Sequence, residues 1–518
     1  MRRIEIIQII RNVSSSWIAL GTSVLVGLFL WPLILHSLGD AAAGIWVLIF
    51  SITGYYGLFD LGIRSSVVRY ISKAKATNDV EYASRLISTS LFSYSCIGAA
   101  ALLITLLVSA NIDHLFHIDP AFRSTARWLL LIVGCAVSLG FPLGVAGGML
   151  EGLQRFDVTN IADIASTLVR ALLIVIALKH GNGLLVIATI TVGLPIIFSV
   201  LRWVFALQFM PVRLSLSLVN KKTFREMASY SGITFIAIVS ARLRFRSDEI
   251  IIGTFLSAAA ITYFNVGGRI VDYAEEVVEK FAQIFVPMSS HSDARGEIHR
   301  LRKIFIIGNR FSSFITLPIT AVLVILGKSV IEAWVGKKYV AASYPVLVLM
   351  ALPSTLMMAQ SASGRVLFGM SKHKAWAIVS FVEGVANVLL SILLVRPYGI
   401  MGDALGTAIP LTATMLFFLP QHVCRKLQVP IRTFLREAYT LPILTCAPVV
   451  LVLLLMKHWL VPHNYWQLLI HLAAAGLVYG LCLAWVFGSE RAMRVGDLHA
   501  PEDVLPGSSN AETVSQKA

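Results

Sequence analysis

Eight basic side chains, Arg170, Arg202, Arg242, Arg244, Arg246, Arg269, Lys280 and Arg310, lie inside stretches otherwise apolar enough to cross a bilayer. A basic side chain at the bilayer centre costs about 2.5 to 3.5 kcal/mol on insertion scales, so eight facing lipid would cost on the order of 20 kcal/mol. Arg202, Lys280 and Arg310 fall near the expected inner ends of their stretches, where a long side chain can snorkel to the interface. The deeper five, Arg170, Arg242, Arg244, Arg246 and Arg269, must face water or a partner. A guanidinium fork matches phosphate oxygens bidentately, so these five are candidate phosphate ligands. The alternative is pairing with Asp248, Glu249, Asp163 or Asp272. On a helix Arg242 and Arg246 share a face and Arg244 points elsewhere, so the three are not expected to do one job.

A second pattern is acidic. Arg269, Asp272, Glu276, Glu279, Lys280 and Gln283 follow spacings of three or four and form one polar stripe. Carboxylates inside a membrane can load and release an ion, so Asp272, Glu276 and the lone acid Glu383 are candidates for coupling to a proton or sodium. For Glu276 a solvated pair with Lys280 is the alternative. The five cysteines lack metal or redox spacing and read as apolar fillers. His114, His117 and Asp119 read as a solvated loop. No nucleotide-binding, nucleophile or zinc motif appears, so no catalytic residue, metal or cofactor is expected, and no enzyme.

The elements that must position these groups follow from composition. Of 518 residues 57% are hydrophobic and 14% charged, against about 45 to 50% and about 25% in soluble domains. At 1.5 Å per residue, about 20 apolar residues cross about 30 Å of hydrocarbon. Fourteen such windows can be read, the seventh at residues 228–253 and the eighth at 258–285, before a polar tail at 489–518 expected to be disordered. The net charge of +15 does not mark a nucleic-acid binder: of 43 Lys and Arg, 27 fall in loops on the side of the N-terminus and eight in loops opposite. That asymmetry is the positive-inside pattern and predicts two cytoplasmic termini.

The chain also repeats itself. An offset of 217 carries Ala41, Ala42 and Ala43 onto Ala258, Ala259 and Ala260, Trp46 onto Tyr263, Gly152 onto Gly369, and Lys179 onto Arg396. Six crossings return the chain to its starting side, so the repeat is parallel. The expected fold is an all-α polytopic membrane protein of about 14 helices. Its parts are six-helix lobes at 1–212 and 213–430, two added helices at 431–488, and the tail.

Three segments carry a resemblance: YYGLFDLGIRSSVVRYIS at Tyr55–Ser72, EGLQRF at Glu151–Phe156, and SDEIIIGTFLSAAAITYFNVGGRI at Ser247–Ile270. Together they resemble the polysaccharide-biosynthesis flippases of the multidrug/oligosaccharidyl-lipid/polysaccharide exporter superfamily. The likeness covers residues 1–487 and makes Asp60, Gly62 and Asp248 motif residues, with Asp60 an anchor for the basic loop around Arg64. It implies a carrier of two lobes around a central cavity that moves a polyprenyl-pyrophosphate-linked oligosaccharide across a bacterial inner membrane, among membrane lipids and beside polymerase or export machinery. The alternatives are a multidrug or cation antiporter of the same superfamily and a polytopic glycosyltransferase or polymerase. The topology is testable: reporter fusions after Lys179 and Lys457 should read as external and those after Lys221 and Lys372 as cytoplasmic, and the reverse would overturn the assignment.

Overall fold

The structure is a computed structural model that describes residues 3–60, 62–227, 239 and 247–489, with side chains from residue 14. Among these residues the chain is helical with no strand, as a bilayer requires when every backbone group must be satisfied within its own segment. Numbering helices of eight residues or more, the first half holds α1 (Arg3–Leu38), α2 (Asp40–Gly54), α3 (Ile63–Thr77), α4 (Val80–Ala110), α5 (Arg123–Gly152), α6 (Phe156–Lys179) and α7 (Leu184–Phe209). The second half holds α8 (Asp248–Phe255), α9 (Ala258–Ala282), α10 (Phe285–Ala294), α11 (Ile298–Val335), α12 (Val340–Ala359), α13 (Ser361–Gly369), α14 (Lys374–Tyr398), α15 (Ile400–Ala413) and α16 (Leu419–Leu427). Two further helices close the chain, α17 (Ile431–Trp459) and α18 (Tyr465–Gly488).

Twelve stretches among the described residues are long and apolar enough to span, where fourteen were expected. The eighth window does form a helix, α9, but its charged stripe makes it too polar for that measure. Most of the seventh window, including Arg242, Arg244 and Arg246, lies outside the described residues, as does the expected tail beyond residue 489.

Helix starts recur 216 to 218 residues apart: Asp40 and Ala258, Val80 and Ile298, Arg123 and Val340, Phe156 and Lys374, Leu184 and Ile400. Gln154 and Ser371, 217 apart, are both left-handed non-glycine residues at the turns after these helices, with φ of 61° and 56°. Packing repeats too, since α4 lies on α5 and α5 on α7, while α11 lies on α12 and α12 on α15.

The halves share a core at one end only. Near the loops expected outside, Ile45, Leu48 and Ile49 pack in one cluster with Ile252, Ile261 and Phe264, and Leu35 and Ala43 join Val266 and Leu347 in another. At the opposite end each half has its own cluster, around Ile71 and Met149 in the first and Phe305 and Phe434 in the second. Joined at one end and separate at the other, the halves leave a space between them that opens toward the expected inner side.

Within lipid, packing and polar complementarity hold helices together. Proline supplies polar sites, because its missing N–H frees the carbonyl four residues earlier. Pro32 frees the Leu28 carbonyl, which accepts from the Trp334 indole N–H at 2.7 Å; Pro318 frees that of Phe314, which accepts from the Tyr479 hydroxyl of α18. Small residues supply close approach. The helical face of Gly140, Gly144, Gly148 and Gly152 packs over its inner half only: Gly152 meets Val68 and Ile71, while Gly140 and Gly144 face open space. Among the described glycines the closest approach between the halves is at Gly44, where a Cβ would sit 1.7 Å from the Ala258 carbonyl oxygen. Gly44→Ala should therefore lower the melting temperature of the purified protein by the equivalent of about 1 to 3 kcal/mol, whereas Gly140→Ala should not. Equal stability of the two would contradict the close crossing of α2 and α9.

Candidate functional site

The space between the halves is lined by charge. Asp272, Glu276 and Glu279 lie on the solvent-reached face of α9, opposite the buried Val271, Ala274 and Val278. Arg269 lies 3.9 Å from Asp272 and holds its guanidinium 5.2 Å from the centre of the Tyr273 ring. Glu279 pairs with Arg365 of α13. A charged face on a helix of this depth requires water rather than hydrocarbon.

On α6, Leu168 and Leu172 are exposed and apolar, as a lipid-facing strip should be. At 100° per residue Arg170 points to the opposite side, with Asp163 and the buried Ile174 and Ala177. Asp163 pairs with Arg202 of α7. Half-buried Arg170 has no ion pair or hydrogen bond among the described residues. A guanidinium without a partner on that side of α6 is able to take an anion.

The second half holds a buried acidic cluster. Asp248 and Glu249 open α8, and Asp403 stands in the first turn of α15. Gly402 and Gly406 bring α15 onto α14 so closely that a Cβ at either would lie 1.9 Å from the Leu394 carbonyl oxygen or 2.2 Å from Ser391 Oγ. This contact sets Ser391 Oγ 3.1 Å from Asn387 Oδ1 and 3.2 Å from the Asp403 carbonyl. Thr407, one turn beyond Asp403, donates to the Asp248 carboxylate at 3.2 to 3.3 Å. Asp248 is 4% exposed and Asp403 0%, and both Asp403 carboxylate oxygens lack a hydrogen-bond partner among the described residues. Glu383 is buried on α14 one turn before Asn387. Carboxylates so placed demand a proton or a cation.

Asp60 accepts from the Tyr94 hydroxyl and, at 3.4 Å, from the Arg64 backbone N–H, while the Arg64 side chain pairs with Glu151. Gly62 takes φ 76° at the start of α3, a left-handed conformation suited to glycine. At the other end Asp40 joins the halves: it accepts from Tyr339 at 2.6 Å and Tyr263 at 3.1 Å and pairs with Lys338 at 2.6 Å.

Several expectations change. Arg310 does not snorkel; it is buried and paired with Glu437, fixing α17 to α11. Arg202 is held by Asp163 rather than reaching alone to the interface. Cys96 and Cys135 are exposed rather than buried fillers. His117 leaves its loop to meet the Thr254 carbonyl at 2.6 Å. Asp403 and Asp40 were missed because each stands in the first turn of its helix, where an acid is ordinarily accounted for by the helix dipole. The signal available for Asp403 was its setting, GDALGT, with glycines four apart around it.

A duplicated helical bundle joined at one end, with charge facing inward, defines the membrane transporter class. Residues 38–344 match the polysaccharide biosynthesis protein family, and the chain belongs to it. A Shigella flexneri protein assigned as an O-antigen transporter is 20% identical over 398 residues, covering 75% of this chain and 92% of that protein. Among solved structures, the lipid II flippase MurJ in an inward closed conformation superposes with a TM-score of 0.71 at 18% identity, over 92% of this chain and 99% of that one. An inward-facing multidrug resistance MATE transporter of the MOP superfamily gives 0.66 at 14% identity, over 79% and 94%. These likenesses show that the chain shares the multi-pass helical fold of those proteins.

Proposed function

We propose that this chain is a secondary-active flippase that carries a polyprenyl-pyrophosphate-linked oligosaccharide from the cytoplasmic to the outer leaflet of a bacterial inner membrane. In this reading residues 1–212 and 213–430 are lobes that rock about the core they share, both termini are cytoplasmic, and a coupling proton or sodium drives the cycle. The glycan would then pass to polymerase or export machinery. The observation that carries the reading is Arg170, a cation without a counter-ion among the described residues, on the side of α6 away from its exposed leucines. An unpaired arginine there disfavours a cationic drug as cargo and suits a pyrophosphate headgroup. Arg269 faces the same space, and Arg242, Arg244 and Arg246 complete the phosphate candidates of the sequence.

Coupling is assigned to acids of the second half. Asp272 and Glu276 lie on the solvent-reached face of α9, while Glu383 is buried on α14, two turns before the Ser391 that meets Asp403. Asp40, bound to Tyr263, Tyr339 and Lys338, is the contact that must break for the outer end to open.

Glycan export and membrane abundance, measured together, test the phosphate role. Arg170→Ala should reduce export at least about tenfold at unchanged abundance, the loss expected for a charge-assisted contact of about 1.5 to 3 kcal/mol, and Arg170→Lys should retain part of it. Normal export by Arg170→Ala would overturn Arg170 as a phosphate ligand.

A further inference from the structure

A second polar feature lies in the inner half of the second lobe, away from the charged space. Asn309, Ser312, Ser313, Thr316 and Thr320 recur along one side of α11. Across from them, Ser363 donates to Asn309 Oδ1 at 3.2 Å, Ser361 to Ser312 at 2.8 Å, and Thr355 shares a hydrogen bond of 2.6 Å with Thr320. Cross-helix hydroxyl bonds are ordinary glue in a membrane. Glue alone leaves no group unsatisfied, and here the middle of the ladder does. Thr316 is 0% exposed and its hydroxyl has no partner; Gln360 is 6% exposed and its Oε1 has none. The hydroxyls of buried Ser289 and Ser292, at the inner end beside Gly369, also lack partners. Buried polar atoms in such a group are ordinarily met by water or an ion.

The backbone is irregular at the same place. The helical path breaks at Gln360 between α12 and α13, and residues Thr414–Phe418, following α15, form a π-helical turn. Gln360 Nε2 donates to the Met415 carbonyl within that turn at 2.7 Å. Asp403, Thr407, Leu411 and Met415 follow one another at spacings of four, a row that winds by about 120° around the helix from the buried acid to this carbonyl. The first half has no counterpart: at an offset of 217, Asn309, Thr316 and Gln360 correspond to Phe92, Ala99 and Leu143.

We propose that this seam is a water-filled route by which a monovalent cation, a proton or sodium, passes between the cytoplasm and the acidic cluster of the second lobe. It is separate from the space that holds the lipid-linked substrate. The proposal rests on the reading of that cluster as the coupling site. Ser, Thr and Gln oxygens line such a route without holding the ion, since none of them ionises. Gln360 and the π-helical turn stand where the route meets α15, with the buried Leu411 between them and Thr407.

Cysteine accessibility tests it. In a functional chain with Cys96, Cys135, Cys424, Cys446 and Cys482 replaced, Ser312→Cys and Thr316→Cys are exposed from the cytoplasmic side to a small cationic methanethiosulfonate, in variants that still export glycan. Leu326→Cys, at an equally buried apolar position, is the control. The two seam positions should react about tenfold faster than the control, because thiol reactivity requires access and a polar setting, and adding Gln360→Leu should slow them. Asp403→Asn is assayed in parallel for loss of gradient-dependent flipping. Seam cysteines as inert as Leu326→Cys, with Asp403→Asn still losing that dependence, would overturn the route and leave the coupling reading standing. Wild-type dependence in Asp403→Asn would overturn both.

Discussion

Hydrocarbon cannot satisfy a polar group, and nearly every feature of this molecule follows from that constraint. The backbone is helical because only then are its N–H and carbonyl groups paired within each segment. Where proline breaks the pairing, a side chain from another helix repairs it, as Trp334 does for Pro32 and Tyr479 for Pro318. Where a charge enters a span, it is paired, as Arg310 is with Glu437, or turned toward the space between the halves, as Arg170 and Asp272 are. The water-filled interior is thus a condition of the sequence being inserted at all. Transport uses a space that the charges already require.

Duplication gives two similar scaffolds, and substitution within them separates two kinds of chemistry. At an offset of 217 the cationic Arg170 corresponds to Asn387, beside the acids. Ser166 corresponds to Glu383 and the lipid-exposed Val186 to Asp403. At these matched positions the first half therefore carries a cation and the second acids, while Arg269 on α9 adds a cation to the second half. In a carrier whose halves move about a shared core, anionic cargo on one side and a cation on the other can be linked through the same motion without touching.

The helical architecture was legible because long apolar windows and loop charge are properties of composition, insensitive to packing. The offset was legible because Gly152 and Gly369 each allow a close helix contact that no larger residue would. The shared face of the stripe from Arg269 to Gln283 was legible as well, because spacings of three and four fix which side of a helix a residue takes. Pairing was not. Nothing in the neighbourhood of Arg310 announces Glu437, 127 residues away. Asp403 looked like an ordinary acid at a helix start, and only the contact of Gly402 and Gly406 with α14 shows it entering a dry pocket. Polar atoms left without partners, such as those of Thr316 and Gln360, belong to tertiary packing and have no signature in periodicity.

The central claim is that the inner space recognises a lipid-linked pyrophosphate. Its most direct test is reconstitution of the purified chain in liposomes with a fluorescent polyprenyl-pyrophosphate oligosaccharide in one leaflet, following its appearance in the other. The account predicts translocation accelerated by an imposed proton or sodium gradient and inhibited by free pyrophosphate-linked headgroup. Liposomes that leave the labelled lipid in place while exchanging organic cations for protons would contradict it.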